Sequence, residues 1–263
     1  MVEIERRAYA DRGTYLGDAD FYKVPVKRLT SADYLQERMN DYDSTRAGNS
    51  KTIVAGIIAE SEETTHFNIY DQDGNAVAVT TTLNGGYGCK TVVGGAGFLL
   101  NNEMDDFSVK PGVANLYGAV GAAANAIAPG KRMLSSMTPT IVLKNGKPLL
   151  ITGTPGGTTI TTSVFQTLMN LLEFGLTPEE AVNRPKFHHQ WTPDVVYVEP
   201  DFPVATRTAL EKMGYTLQSR GSIGRTELIY IFPNGTIEAI ADQRGEDHAA
   251  GYQPATLLSQ NQR

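Results

Sequence analysis

Three pairs of β-rich segments, each joined by a short turn, constrain the fold of this chain more than any other feature. The pairs are 64–70 with 76–83, 138–143 with 148–152, and 227–232 with 236–241. Their connections contain Asp73-Gly74, Asn145-Gly146 and Asn234-Gly235, and such dipeptides favour tight hairpin turns. The sequence therefore predicts largely antiparallel sheet.

Helical patterns lie between and before these hairpins. Apolar residues recur at helical spacing in 163–174 and in 204–213, and each of these segments is followed by a glycine. Thr177 followed by Pro178 predicts the capped start of another helix. A capping box at 30–33 predicts one more, running to about Tyr42. Hairpins combined with helices indicate the α+β class.

Composition excludes several classes of function. The 263 residues contain 23 Lys and Arg against 29 Asp and Glu, a formal charge of −6, with no basic cluster of the kind that binds nucleic acid. No apolar run approaches the roughly 18 residues of a membrane span, and the first residues lack the apolar core of a secretory signal. The glycine-rich segments lack a phosphate-binding motif, so no nucleotide or other cofactor is expected.

Few residues have the spacing of a metal or thiol site. His188 and His189 are adjacent, so they point to different sides and are expected to have structural roles rather than to bind a metal. The single cysteine, Cys89, could pair with His66 as nucleophile and base, but a lone cysteine is more often a small apolar filler. Asp105 and Asp106 would suit a cation or an ammonium group, or a solvated loop.

Thr64 begins the first β-rich run, directly after an acidic segment. Cleavage of the chain before Thr64 would place a new α-amine beside its hydroxyl. An α-amine titrates at about 7.7–8.0, so it could act as the base for that hydroxyl. Strands also often begin with threonine, and the spacing alone leaves both interpretations open.

A series of motifs makes the comparison with a known family specific. In chain order they are Thr64-Thr-His, Asp73-Gly-Asn-Ala-Val, Leu99-Leu-Asn-Asn-Glu-Met-Asp-Asp-Phe-Ser, Leu134-Ser-Ser-Met-Thr-Pro, Gly153-Thr-Pro-Gly-Gly and Phe187-His-His-Gln-Trp. Together they resemble the γ-glutamyltransferases, which are also called γ-glutamyl transpeptidases or glutathione hydrolases. The resemblance runs from Thr64 to near Tyr252, and 6–27 looks like the end of the family's large subunit.

The resemblance implies a precursor that cleaves itself before Thr64. Residues 1–63 would be the tail of the large subunit with its processing linker, and 64–263 would be the small catalytic subunit. The implied fold is the four-layer αββα sandwich of N-terminal-nucleophile hydrolases. Most of the large subunit is absent from this chain, so the sandwich is expected to be incomplete and to expose apolar surface.

Site residues follow from the same resemblance. Thr64 would attack the γ-carbonyl of glutathione or another γ-glutamyl compound, and Thr82 would support it. The expected ligand-facing groups are Gly156 and Gly157 for the oxyanion, Ser135 and Ser136 for the α-carboxylate, Asn84, Glu103 and Asp106 for the α-ammonium, and Tyr117 as the gate of a lid at 111–121. The family's carboxylate-binding arginine lies in the absent region, so none of the arginines present is assigned that role.

The activity expected from the resemblance is hydrolysis with water, or transpeptidation with an amino acid or dipeptide, by an assembly that includes the missing region or a partner chain. Two alternatives stay open. The chain is a non-catalytic remnant of the same fold, or a related N-terminal-threonine hydrolase with another acyl donor, such as a β-lactam side chain. The compartment is left open, although members of the family are usually exported.

Overall fold

The computed structural model describes residues 1–53, 64–110 and 121–252. The helices in these ranges are α1 (Val2–Tyr15), α2 (Val26–Leu29), α3 (Ala32–Arg38), α4 (Thr159–Leu172), α5 (Pro178–Asn183) and α6 (Val204–Lys212). The strands are β1 (Thr64–Tyr70), β2 (Ala76–Thr82), β3 (Thr140–Lys144), β4 (Lys147–Gly153), β5 (Phe187–His188), β6 (Val196–Val198), β7 (Leu217–Ser219), β8 (Glu227–Ile231) and β9 (Ile237–Ile240). Among the described residues, no helix has the length and apolar character needed to cross a membrane.

The strands form three sheets. β1 and β2 form an antiparallel hairpin, β3, β4, β8 and β9 form a four-stranded antiparallel sheet, and β5, β6 and β7 form a smaller mixed sheet. All three predicted hairpins are therefore confirmed, as is the α+β class. The small mixed sheet was not predicted, because its strands have only two or three residues each.

The β1–β2 hairpin stacks on the four-stranded sheet, and helices cover the other side of that sheet. Leu150 of β4 and Leu228 of β8 pack against Val182 of α5 in one apolar cluster. Gly153, three residues after Leu150 in β4, instead meets His66 of β1 on the other face of the sheet. The order of layers is helices, sheet, hairpin, which gives three of the four layers of an αββα sandwich.

The β1–β2 hairpin has its polar side chains inside and its apolar side chains outside. His66 is buried, whereas Phe67 and Ile69 are 46% and 51% exposed, and Val77 of β2 is 42% exposed. The predicted exposure of apolar surface is therefore confirmed. A hairpin with apolar side chains on its outer face is stable only if that face is also covered. Apolar side chains left in water do not contribute the free energy that burial would give.

A close contact between His66 and Gly153 fixes the hairpin on the sheet. A Cβ atom at Gly153 would lie 2.1 Å from His66 Cε1, so only glycine fits beneath the ring. His66 Nδ1 lies 2.7 Å from Thr80 Oγ1, and Nε2 lies 2.9 Å from Asn68 Oδ1. The Asn68 amide in turn donates to the carbonyl of Glu227 at 3.1 Å, so Nε2 carries the ring proton. Burial lowers the pKa of His66, which stays neutral.

Helix α1 was not predicted, and its buried face explains why. Glu3, Glu5, Arg6 and Arg7 are all buried on this helix, so hydrophobic periodicity does not mark it. Glu3 accepts from Arg6 Nε at 3.2 Å, from Arg7, and from the hydroxyl of Tyr215 at 2.9 Å. Paired charges of this kind can be buried because each is offset by hydrogen bonds and opposite charge.

Two predicted helices have different ends in the structure. α3 stops at Arg38 rather than near Tyr42, because the Arg38 carbonyl accepts from the side chain of Arg7 at 2.7 Å and Tyr42 N bonds to Met39 O instead. α4 begins four residues before the predicted start at 163. Its first turn is rich in threonine, which has low intrinsic helix propensity. α5 has the predicted cap, with Thr177 and Glu180 forming a capping box.

The contact beneath His66 leads to a stability prediction. We expect Gly153→Ala to lower the free energy of unfolding by about 1–3 kcal/mol, since the added methyl overpacks a close contact. Gly221→Ala is the matched control, because a Cβ there meets no atom within 4 Å. Urea denaturation measures both variants. Equal midpoints for Gly153→Ala and Gly221→Ala would show that the contact does not hold the hairpin.

Candidate active site

A cavity of about 60 Å³ lies where the β1–β2 hairpin meets the start of α4. It is lined by seven of the residues singled out from the sequence, namely Thr64, Thr82, Asn84, Asp106, Ser135, Ser136 and Gly157. Arg12, Ser108, Asn125 and Thr158 also line it. These groups come from segments far apart in the sequence, so the fold itself brings them together.

Thr64 and Thr82 are direct neighbours across the hairpin. They are paired in the antiparallel register, so both side chains lie on the same face of the hairpin as His66. Thr82 Oγ1 accepts a hydrogen bond from Asn84 N at 2.9 Å. Asn84 has a left-handed backbone with φ of 73°, a conformation that asparagine tolerates better than most residues. The Asn84 side chain donates to the carbonyl of Asn102 at 3.1 Å.

The glycine pair Gly156-Gly157 forms a turn that leads into α4. The Gly156 carbonyl accepts from Thr159 N at 3.0 Å, and φ is 132° at Gly156 and 56° at Gly157. The N-terminus of a helix presents open N–H groups and the positive end of its dipole, so it stabilises an anion. Gly157 lines the cavity, whereas Gly156 is not among the lining residues.

Asp106 is the acid that faces the cavity. It ends a 3₁₀ turn, Glu103–Asp106, and its pKa is raised to about 7. Burial is the main cause, the nearby charges of Glu103 and Asp105 add to it, and the charge of Arg12 opposes it. Burial also raises the pKa of Glu103, which is half-buried and does not line the cavity. An ammonium group in the cavity would stabilise the Asp106 carboxylate and so lower the pKa of Asp106.

Asn125 connects two walls of the cavity and was missed by the reading of the sequence. Its side chain donates to the Asp106 carbonyl at 2.8 Å and accepts from Leu134 N at 3.0 Å. Asn125 is buried and so holds the acidic turn against the segment that carries Ser135 and Ser136. No local motif marks such a residue, because its role depends on contacts between distant segments.

Two more lining residues were also missed. Ser108 is buried, and its hydroxyl has no hydrogen-bond partner within the described part of the chain. Arg12 of α1 donates from Nη2 to Ser136 Oγ at 2.8 Å. Arg12 was not assigned because the expected arginine belonged to another motif, and no side-chain spacing linked it to residues more than 100 positions away.

Comparison with known proteins decides the family. A family model described as gamma-glutamyltranspeptidase matches residues 1–252. The glutathione hydrolase proenzyme of Escherichia coli (strain K12) is 49% identical over 255 residues, which are 96% of this chain and 44% of that protein. This chain belongs to the gamma-glutamyltranspeptidase family.

Solved structures agree with this family and with the N-terminal-nucleophile hydrolase fold. The gamma-glutamyltranspeptidase from Pseudomonas nitroreducens complexed with L-DON aligns with a TM-score of 0.68 and 49% identity, over 72% of this chain and 100% of that chain. The cephalosporin acylase from Bacillus halodurans aligns with a TM-score of 0.78 and 27% identity, over 96% of this chain and 44% of that chain. The chain spans 44% of the length of its Escherichia coli relative.

The other residues that the sequence brought into consideration lie outside this cavity or outside the described residues. Tyr117 and most of the lid at 111–121 lie outside the described residues. Cys89 is exposed, neither Cys89 nor His66 lines the cavity, and both ring nitrogens of His66 are hydrogen-bonded within the hairpin. His188 is buried and bonded to Thr162 and Gln190, and His189 is buried beside Asp194. The described ranges contain no group of three metal-ligating side chains.

The raised pKa of Asp106 predicts a pH-dependent cost to stability. A carboxyl whose pKa rises from 3.8 unfolded to about 7 folded contributes fully below pH 3.8, and this contribution is lost as the pH rises through 7. Relative to the parent, Asp106→Asn should therefore gain about 1–2 kcal/mol in free energy of unfolding between pH 4 and pH 8, discounted for partial exposure. Urea unfolding at both pH values measures this gain.

The exposed Asp73 provides the control, because its environment leaves the carboxyl in water. Asp73→Asn removes an exposed carboxylate instead of one that faces the cavity. The account of Asp106 fails if Asp106→Asn behaves in the same way as Asp73→Asn.

Proposed function

We propose that this chain carries the catalytic part of a γ-glutamyl hydrolase or transpeptidase, with Thr64 as nucleophile. The observation that carries this proposal is the convergence of the Thr64 strand end, the Gly157 helix terminus and the Asp106 carboxylate on one cavity. A nucleophile, an anion-stabilising backbone and a counter-charge for an ammonium are the three groups that acyl transfer from an amino-acid substrate needs.

Cleavage between Glu63 and Thr64 would make Thr64 competent. The released α-amine titrates at about 7.7–8.0, so it is partly unprotonated at neutral pH and accepts the hydroxyl proton. Residues 1–63 then form the tail and linker, and 64–263 form the catalytic subunit. The Pseudomonas nitroreducens chain supports this division, since all of it aligns with 72% of this chain, and residues 64–263 make up about 76% of the sequence.

The proposed reaction has two steps. Thr64 Oγ attacks the γ-carbonyl carbon, its proton passes to the α-amine, and the backbone N–H groups of Gly156 and Gly157 stabilise the oxyanion. The C–N bond breaks, and the leaving amine takes the proton from the α-ammonium. A water molecule, or the amine of an amino acid or dipeptide, then attacks the acyl-enzyme and restores the Thr64 hydroxyl.

The γ-glutamyl head group would lie in the cavity and contact the remaining lining residues. Its α-ammonium would face Asp106 and Asn84, with Glu103 behind them, and its α-carboxylate would face Ser135 and Ser136. Glutathione is the proposed donor. The part of the relatives that this chain does not span would complete the site, either on the same polypeptide or on a partner chain, and would cover the outer face of the β1–β2 hairpin.

The acylase neighbour supports a second candidate function. The likeness to the cephalosporin acylase shows that the same architecture is used by a protein named for a different acyl donor. Asp106 favours the amino-acid donor, because the α-ammonium of such a donor could pair directly with the Asp106 carboxylate in the cavity. A panel of γ-glutamyl and cephalosporin substrates, assayed side by side, separates the two functions.

Substitution of Thr64 tests both cleavage and catalysis. We expect the parent to give two bands on a denaturing gel and Thr64→Ala to give one, with loss of at least about a thousandfold in release of 4-nitroaniline from a γ-glutamyl anilide, as for other catalytic groups. Thr64→Ser keeps the hydroxyl and should retain both activities in part.

Thr65→Ala is the matched control, because Thr65 lies next in the strand but faces outward. It should process and turn over like the parent. Processing of Thr64→Ala at the parental rate would refute the role of Thr64. A parent that gives one band and releases no 4-nitroaniline, even when it is assembled with the region that completes the site, would support the non-catalytic alternative.

A further inference from the structure

Helix α1 contacts the residues that line the cavity through two side chains one turn apart, and Arg12 is itself one of the lining residues. Arg12 Nη2 donates to Ser136 Oγ at 2.8 Å, and the hydroxyl of Tyr9 donates to the carbonyl of Thr158. Ser136 and Thr158 both line the cavity, and they belong to segments that are separate in the sequence. One helix of the N-terminal tail therefore contacts both segments.

The hydrogen bond from Arg12 determines what the Ser136 hydroxyl can do. A serine hydroxyl has one proton and two acceptor sites, whereas a guanidinium only donates. Because Arg12 occupies an acceptor site of Ser136 Oγ, the Ser136 proton must point in another direction. Ser136 lines the cavity, so its O–H can donate to a carboxylate bound there.

The charge of Arg12 is also directed at the cavity. Within the described ranges no carboxylate forms an ion pair with Arg12, whereas Arg6 and Arg7 of the same helix are paired with Glu3. Arg12 packs on the Tyr9 ring at 5.9 Å, and its charge acts on Asp106 across the cavity. Arg6 and Arg7 thus form ion pairs within α1, whereas the Arg12 guanidinium lies at the cavity.

We propose that Arg12 is a positioning residue of the candidate active site, which orients the Ser136 hydroxyl toward a substrate carboxylate and balances the charge of Asp106. This inference rests on the proposed function. It also means that the site requires α1 after any cleavage before Thr64, because Arg12 and Thr64 would then belong to different polypeptides.

Titration of Asp106 tests the electrostatic part without requiring turnover. Asp106 is surrounded by Glu103, Asp105 and Arg12, so loss of the one cation should raise its pKa by about one pH unit. Carbon-detected NMR of the side-chain carboxyl, assigned with Asp106→Asn, compares the parent with Arg12→Gln, Arg12→Lys and the exposed control Arg46→Gln. Only Arg12→Gln should raise the pKa. An unchanged value in Arg12→Gln would overturn the proposal.

Steady-state kinetics with the γ-glutamyl anilide test the positioning part. Orientation of a carboxylate-binding hydroxyl contributes equally to ground-state and transition-state binding, so Arg12→Gln should raise KM about tenfold and change kcat less than threefold. In a Ser136→Ala background the same change should raise KM by a smaller factor than it does in the parent, because only the effect through Asp106 remains. Independent effects of the two substitutions on KM, or an effect confined to kcat, would overturn the proposal.

The two arms separate this proposal from the proposed function. A parent that releases no 4-nitroaniline when assembled with the region that completes the site refutes the γ-glutamyl function, and the Asp106 titration then decides the role of Arg12 by itself. Thermal denaturation confirms that each variant is folded. If Arg12→Gln does not fold, Arg12→Lys replaces it, with the expectation that KM rises because the fork is lost while the Asp106 pKa stays at the parental value.

Discussion

The contact between the His66 imidazole and the backbone of Gly153 is the constraint on which the candidate site depends. This contact packs the first hairpin against the four-stranded sheet, and the hydrogen bond from Asn68 to the Glu227 carbonyl is a second link between them. Thr64 is two residues from His66 on the same face of β1, so the same contact fixes the nucleophile candidate. The polar inner face explains why the hairpin leaves Phe67 and Ile69 outside.

Buried polar groups on α1 fix the position of the other half of the site. Glu5 is fully buried, accepts from His189 N at 3.0 Å and from Gln166 at 3.2 Å, and has its pKa raised to about 8 by burial. Polar links of this kind require a defined geometry in a way that apolar packing does not. They dock α1 in one position, and in that position Arg12 and Tyr9 meet the cavity walls.

Local patterns predicted most of the fold and part of the site. The three hairpins and the Thr177 cap were predictable because turn and cap chemistry is local. Seven of the residues that the family resemblance singled out line one cavity, and their roles there stay predictions. Helix α1 and the roles of Arg12, Asn125 and Ser108 were not predictable. They depend on buried charged side chains and on contacts between segments that are distant in the sequence. Neither hydrophobic periodicity nor motif spacing shows such contacts. Gly156 and Glu103 lie beside the lining residues rather than among them.

The central claim is that Thr64 Oγ is the atom that becomes acylated in a cavity shared by α1 and the strand β1. Rapid acid quench during turnover of a γ-glutamyl substrate, followed by peptide mapping with tandem mass spectrometry, tests it most directly. The account predicts one γ-glutamyl group, attached to a peptide whose N-terminal residue is Thr64. A γ-glutamyl group on another residue, or turnover with Thr64 still joined to Glu63, would contradict it.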